Sequence, residues 1–281
     1  MATINQIKKT LEQDESLKLV ARTLSEVSAS RLQQIRGTIE RNRGFYTEIA
    51  GLYHIVKTEA LERNILSKNK KAGAVSILIS SNHRFSGAVE NKLFLLYVSH
   101  TPEFTTKRIV IGKTGQKFLK DSHYWADFDN METVSDMPNK EELQKLSEEV
   151  RKFERIFVYY PKFKTILSQQ PNFTDLTGSI EPSPRGEYQK SFYYIFEPEI
   201  EKMYAFFDQQ IVALLLEQTF LEAELARTAA RLISMEQAQR NAENVIKDDH
   251  RALAMAQRSR QNRGLLEMVT SLVSLNKGMT D

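Results

Sequence analysis

An α/β fold framed by two long terminal helices follows from three features of this sequence. Glu199 to Lys277 contains no proline and one glycine, Gly264. Residues 3–61 also contain no proline. Between these stretches, short β-rich apolar runs alternate with helical patterns, as in a small Rossmann-like domain. The expected division is 1–65 for an N-terminal helix, 66–197 for the α/β domain with a five-stranded, partly parallel sheet, and 198–281 for a C-terminal helix. The two terminal helices are expected to form an antiparallel coiled coil.

The C-terminal stretch is the clearest element. Phe207, Ile211, Leu214, Leu221, Leu225, Ala229, Leu232 and Met235 recur at helical spacing. An uninterrupted helix over this span is roughly 115 Å long, too long to bury itself on its own domain, so it needs partner helices. In the first helix, Leu17, Val20, Leu24 and Val27 step by three and four like a coiled-coil seam. The series then jumps by five to Leu32 and resumes at Ile35 and Ile39, a break expected to rotate the seam. An ordinary core-facing helix fits the same pattern, but the length favours pairing with the last helix. Gly37, Gly44 and Gly51, seven apart, suggest close backbone approach.

In the middle, Gly73 ends a polar turn and Ala74 to Ser80 reads as a buried strand. A helix is expected from Ala88 to His100, a strand over Arg108 to Gly112 and a helix from Thr114 to Asp121. Tyr124 to Asp136 reads as loop. Pro138 and Asn139 open a helix with Leu143, Leu146 and Val150 on one face, and Arg155 to Tyr160 is a third strand. Phe173 to Ile180 and Ser191 to Phe196 are the fourth and fifth candidates, and Pro198 starts the last helix.

The chain offers little chemistry. With no cysteine among 281 residues, disulfides, zinc thiolates and thiol catalysis are excluded. The GKTG at Gly112 to Gly115 invites a phosphate-loop reading, but Lys107 stands where a Walker A glycine belongs. The alternative is a structural turn. One glycine, Gly87, follows the first strand, so there is no dinucleotide fingerprint. His54, His83, His100, His123 and His250 are scattered without metal-site spacing. No serine sits in a GxSxG elbow. Neither catalytic residues nor a cofactor or metal site is expected. A net charge of +3 is too small to argue for nucleic acid. The start lacks a signal core and the apolar runs are too short to span a bilayer, which points to a soluble protein or part.

One charge feature stands out. Arg251, Arg258, Arg260 and Arg263 lie in a segment, His250 to Leu266, without an acidic residue. It is either a solvated face or a cationic collar for an acidic partner. Beyond it, Leu265, Met268, Leu272 and Leu275 form an apolar tip that needs a sleeve.

The layout and seven collinear motifs resemble the γ subunit of F-type ATP synthases. They are QIKKTL, VSASRL, ILISSNHRFSGAVENKLF, RIVIGKTGQKF, FVYYPKFKTILSQQP, YYIFEPEIE and AARLISMEQAQRNAENVI. The resemblance implies a non-catalytic central-stalk rotor that couples ion flow to ATP synthesis or hydrolysis. Its implied partners are the α and β subunits, the ε subunit and the c-subunit ring. It implies a peripheral place on the cytoplasmic face of a bacterial plasma membrane. It also implies partner contacts through Arg22, Leu24, Arg251, Gln257, Arg258, Asn262, Leu265, Met268 and Leu272, and a turn motif at Asn82, Arg84 and Gly87. The chain departs from the family pattern where D-R-G-L-C-G is replaced by Asn82 to Gly87, and where the last-helix catch residues are rearranged. A diverged, non-standard motor therefore stands beside the standard one. A coiled-coil adaptor explains the helices but not the ordered motifs.

Overall fold

The computed structural model describes residues 3–63, 73–83, 85–101, 103, 105–122, 124, 128–131, 133, 135–176 and 197–277. Two helices dominate, α1 (Ile4–Glu62) and α5 (Ile200–Lys277). Between them lie β1 (Ala74–Ile79), α2 (Val89–His100), β2 (Thr105–Ile111), α3 (Lys113–Ser122), β3 (Asp129–Met131), α4 (Lys140–Val150), β4 (Arg155–Thr165) and β5 (Ser168–Asp175). The chain divides into two compact units, Ser28–Ile233 and Met1–Val27 with Ser234–Asp281.

In the larger unit the five strands run in the order β3-β2-β1-β4-β5. The first four are parallel, and β5 returns antiparallel to β4. All six β1 residues are buried, because helices cover both faces of the sheet. On one face Val75, Ile77, Ile79, Ile109 and Val158 meet Leu146 and Val150 of α4 and Leu216, Phe220 and Ala223 of α5. On the other, Leu78, Val110, Phe157 and Tyr159 meet Leu93, Phe94 and Tyr97 of α2 and Leu119 of α3. Helix α4 starts on a capping box in which Asn139 and Glu142 satisfy each other's backbone N–H. Leu32 and Ile35 of α1 pack on Leu225 and Ala229 of α5. Together with stacking of Tyr53 on Tyr204, this sets α1 and α5 antiparallel.

The strand count is as expected, but its makeup differs. The fifth strand is β3, three residues inside the stretch read as loop, too short and polar to show an apolar period. The candidate at Ser191 to Phe196 and the end of the one at Phe173 to Ile180 lie outside the described residues. Strand β4 runs on past Tyr160, and β5 begins at Ser168, with Pro161 opposite Pro171. Beyond Tyr159, β4 no longer pairs with β1, so Pro161 withholds no N–H from that neighbour.

The seam of α1 is also corrected. Leu17, Val20 and Val27 are 62%, 55% and 58% exposed. The inward positions are Ile4, Ile7, Leu11, Asp14, Lys18, Ala21, Ser25, Ser28, Leu32, Ile35 and Ile39, an unbroken alternation of three and four. The apparent jump of five arises because the seam is polar at Asp14, Lys18, Ser25 and Ser28. Close approach at the spaced glycines is overturned too, since a Cβ at Gly44 or Gly51 meets nothing within 4 Å.

In the smaller unit, Met235, Gln239, Ala242, Ile246, Asp249, Leu253 and Ala256 form the inward stripe of α5. Lys18 pairs with Glu243 at 3.1 Å. No helix among the described residues is long and apolar enough to cross a membrane.

Candidate functional site

The most unusual feature of the larger unit is a buried ionic cluster where α5 meets the end of β1. Glu224, Arg227 and Arg231 lie three and four residues apart on one stripe of α5. The small Ala223, Ala226 and Ala230 lie beside them. The Arg227 side chain is fully buried, with its Nε 3.9 Å from Asp136 Oδ2 and its Nη2 3.7 Å from Glu224 Oε2. Arg227 Nη2 also donates to the Asp136 carbonyl at 3.5 Å. Arg231 Nη2 stands 3.8 Å from Asp136 Oδ2, and Arg31 of α1 donates to Glu224 at 3.2 Å.

Asp136 ties this set to the sheet. It accepts from Ser81 Oγ at 3.0 Å and from the Asn82 N–H at 2.5 Å. The Asn82 side chain donates to the carbonyl and hydroxyl of Thr133, both at 3.2 Å. Glu90, in the first turn of α2, is buried against the same groups. Desolvation pushes its carboxyl up to about 7, opposed by Arg227 and Arg231 and assisted by Asp136. Losing one member of such a cluster strands buried charge, a heavier cost than the pair's net contribution. The arrangement is suited to fixing α5 against the α/β layers.

The GKTG turn takes the structural role. The N–H groups of Lys113, Thr114, Gly115 and Gln116 donate to Asn82 Oδ1, the Ser81 carbonyl, Ser80 Oγ and the Gly112 carbonyl. The donors with which a helix N-terminus would hold phosphate are all engaged within the chain. Gly112 has φ +95°, and a Cβ there would lie 2.3 Å from the Ser80 carbonyl oxygen.

Of the residues singled out from sequence, Asn82 lies in the cluster, Gly87 takes φ +66° in the turn before α2, and Arg84 is outside the described residues. In the smaller unit Arg22 is exposed and donates to Glu26 at 2.9 Å, and Leu24 is half-buried. Arg251 is exposed but bonded to Asp248 at 3.2 Å, so it is not a bare charge. From Gln257 to Leu272 every residue except Gly264 is exposed, including Gln257, Arg258, Asn262, Leu265, Met268 and Leu272. Leu265, Met268 and Leu272 are 58%, 62% and 64% exposed. Arg258, Arg260 and Arg263 have no ion pair among the described residues. At about 100° per residue, Arg258 lies well apart from Arg260 and Arg263, giving a collar instead of a stripe. These positions do not form one patch. With Lys18 beside Glu243, Arg22 and Arg251 lie about 18 Å apart along the axis.

Sequence reading missed Asp136, Glu90, Glu224, Arg227, Arg231 and Arg31. The available signal was the presence of Glu224 and Arg227 inside Leu221 to Leu232, where charge lies among leucines and alanines.

A family model described as ATP synthase matches residues 3–274. The ATP synthase gamma chain of Staphylococcus saprophyticus is 24% identical over 292 aligned residues, covering 97% of this chain and 98% of that one. A chain in the cryo-EM structure of Euglena gracilis mitochondrial ATP synthase (OSCP/F1/c-ring, rotational state 3) superposes with a TM-score of 0.69. It is 15% identical and covers 99% of this chain and 96% of its own. A chain of the rotor of the same enzyme, in rotational state 1, superposes at 0.62 with 14% identity, covering 91% and 98%. The structural likenesses bear on the fold, and the family match spans nearly the whole sequence. On that extent of agreement, the chain belongs to the ATP synthase family.

Proposed function

We propose that this chain is the central-stalk rotor subunit of an F1-type ATPase, with no catalysis of its own. It couples transmembrane ion flow to ATP synthesis or hydrolysis at the α/β catalytic sites. Residues 1–65 and 198–281 act as the shaft and 66–197 as the foot. The shaft turns inside the α/β hexamer, and the foot rests on the ε subunit and the c-subunit ring. Its place is peripheral, on the cytoplasmic face of a bacterial plasma membrane.

The observation that most supports this reading is the last stretch of α5. It continues for about six turns past Ala256, with Leu265, Met268 and Leu272 exposed along it. Such a surface stays in water only at a cost, and an apolar sleeve removes it. Leu265, Met268 and Leu272 meet that sleeve, while Gln257, Arg258 and Asn262 face polar loops of the catalytic subunits. Arg22, Leu24 and Arg251 make side contacts lower on the shaft. The rearranged catch residues favour a diverged member of the class over a standard one.

Co-expression with the neighbouring α, β and ε gene products tests the proposal. The expected result is one copy per hexamer with Leu265 enclosed. A stable chain that ignores those subunits overturns it. Removing the residues from Leu265 onward should weaken coupled activity without lowering the melting midpoint of the sheet unit. Undiminished coupling in that truncation removes the role given to the tip.

A further inference from the structure

The ionic cluster holds one carboxyl more than its ion pairs use. Arg227, fully buried, and Arg231, partly buried, face Asp136 and Glu224. Arg31, half-exposed, reaches Glu224 from α1. Glu90 is a third carboxyl inside this set. The groups facing it are Arg227 and Arg231 from α5, Asp136 from the segment before α4, and the Ser81 N–H from the turn after β1. The contacts are also loose. Ion pairs of 3.7–3.9 Å exceed hydrogen-bond length, and Glu90 Oε1, Glu224 Oε2 and Arg227 Nε and Nη1 are buried without a hydrogen-bond partner. A third carboxylate in so little solvent is accommodated either by keeping its proton or by opening toward water.

We propose that this cluster is a proton-operated joint. With Glu90 protonated, the first turn of α2 is held against the cluster of Ser81, Asp136 and Arg227, and with Glu90 ionised that turn loosens from it. Geometry sets the partners. The joint lies where α2, the β1–α2 turn, the Thr133–Asp136 segment and α5 converge, so one proton bears on all four. The raised affinity of Glu90 for its proton gives the direction. The folded joint binds a proton that the opened joint releases, so closure weakens as pH rises from the ordinary carboxyl range to about 7 and then levels off. A consequence for torque rests on the rotor reading above, whereas the joint itself is a property of this chain alone.

Hydrogen exchange on the full chain, corrected for the intrinsic pH dependence of exchange, tests it. Amides of the first two turns of α2 should lose at least about tenfold in protection between about pH 5 and pH 7.5, with little change above. In Glu90→Gln that dependence should disappear. Constant protection in the wild type, or an unchanged pH dependence in Glu90→Gln, overturns the joint. Should that variant fail to fold, infrared spectroscopy of the wild type decides on its own. A buried protonated carboxyl should give a carbonyl band near pH 6 that fades toward pH 8, and its absence overturns the proposal. Neither readout needs the α or β subunits, so failure of the joint and failure of the rotor reading are separable.

Discussion

Single side chains in this molecule act through what surrounds them. Glu90 illustrates the sign of a buried acid. Because its folded pKa is raised from 4.5 to about 7, it favours folding below pH 4.5, and that contribution is lost as pH rises through 7. Urea midpoints of the wild type should therefore fall across this window by an equivalent of ~3 kcal/mol at most, and Glu90→Gln should flatten the profile. Glycines divide the same way. Gly112→Ala places a methyl against the Ser80 carbonyl at positive φ and should cost at least about 2 kcal/mol. Gly44→Ala, in open space within a helix, should stabilise by ~0.5–1 kcal/mol. Thermal melts of the two variants against wild type check both signs.

At the scale of the element, α1 shows why period and face are separate questions. The helix was legible from missing proline and from three-and-four spacing, yet the spacing pointed to the wrong stripe. Two interleaved sets satisfy the same period one position apart, and the more apolar one, with Leu17, Val20 and Val27, faces outward. The inward set carries Asp14, Lys18, Ser25 and Ser28, which a count of apolar residues discards. Substitution separates the faces. Leu32→Ala should destabilise by about 2–4 kcal/mol, because Leu32 packs on Leu225 and Ala229. Leu17→Ala should change stability by less than ~0.5 kcal/mol in the isolated chain. Equal losses in denaturant titrations would mean that both stripes are buried. Helix α5 was read on the correct face, since Ile211, Leu221, Leu225, Ala229 and Met235 are all buried. There its apolar positions and its contacts coincide.

For the whole molecule, the two long helices and the alternation of strands and helices up to β4, β3 apart, were readable, since burial leaves continuous apolar runs such as Ala74 to Ile79. What binds the layers to α5 was not. Asp136, Glu90 and Arg227 are separated by up to 137 residues, and no local pattern marks charges that meet only after folding. The edge strand β3 was hidden by its shortness, and the exposure of Leu265, Met268 and Leu272 was legible from the length of α5. The saturated turn at Gly112 to Gln116 has a consequence of a different kind. In sheets of this connectivity, small phosphorylated molecules settle at the carboxyl end of the strands where the strand order reverses. Here the backbone donors of the turn after β2 are bonded to Asn82, Ser81, Ser80 and Gly112. In the setting proposed above, where adenine nucleotides are abundant, these four donors are not left for their phosphates.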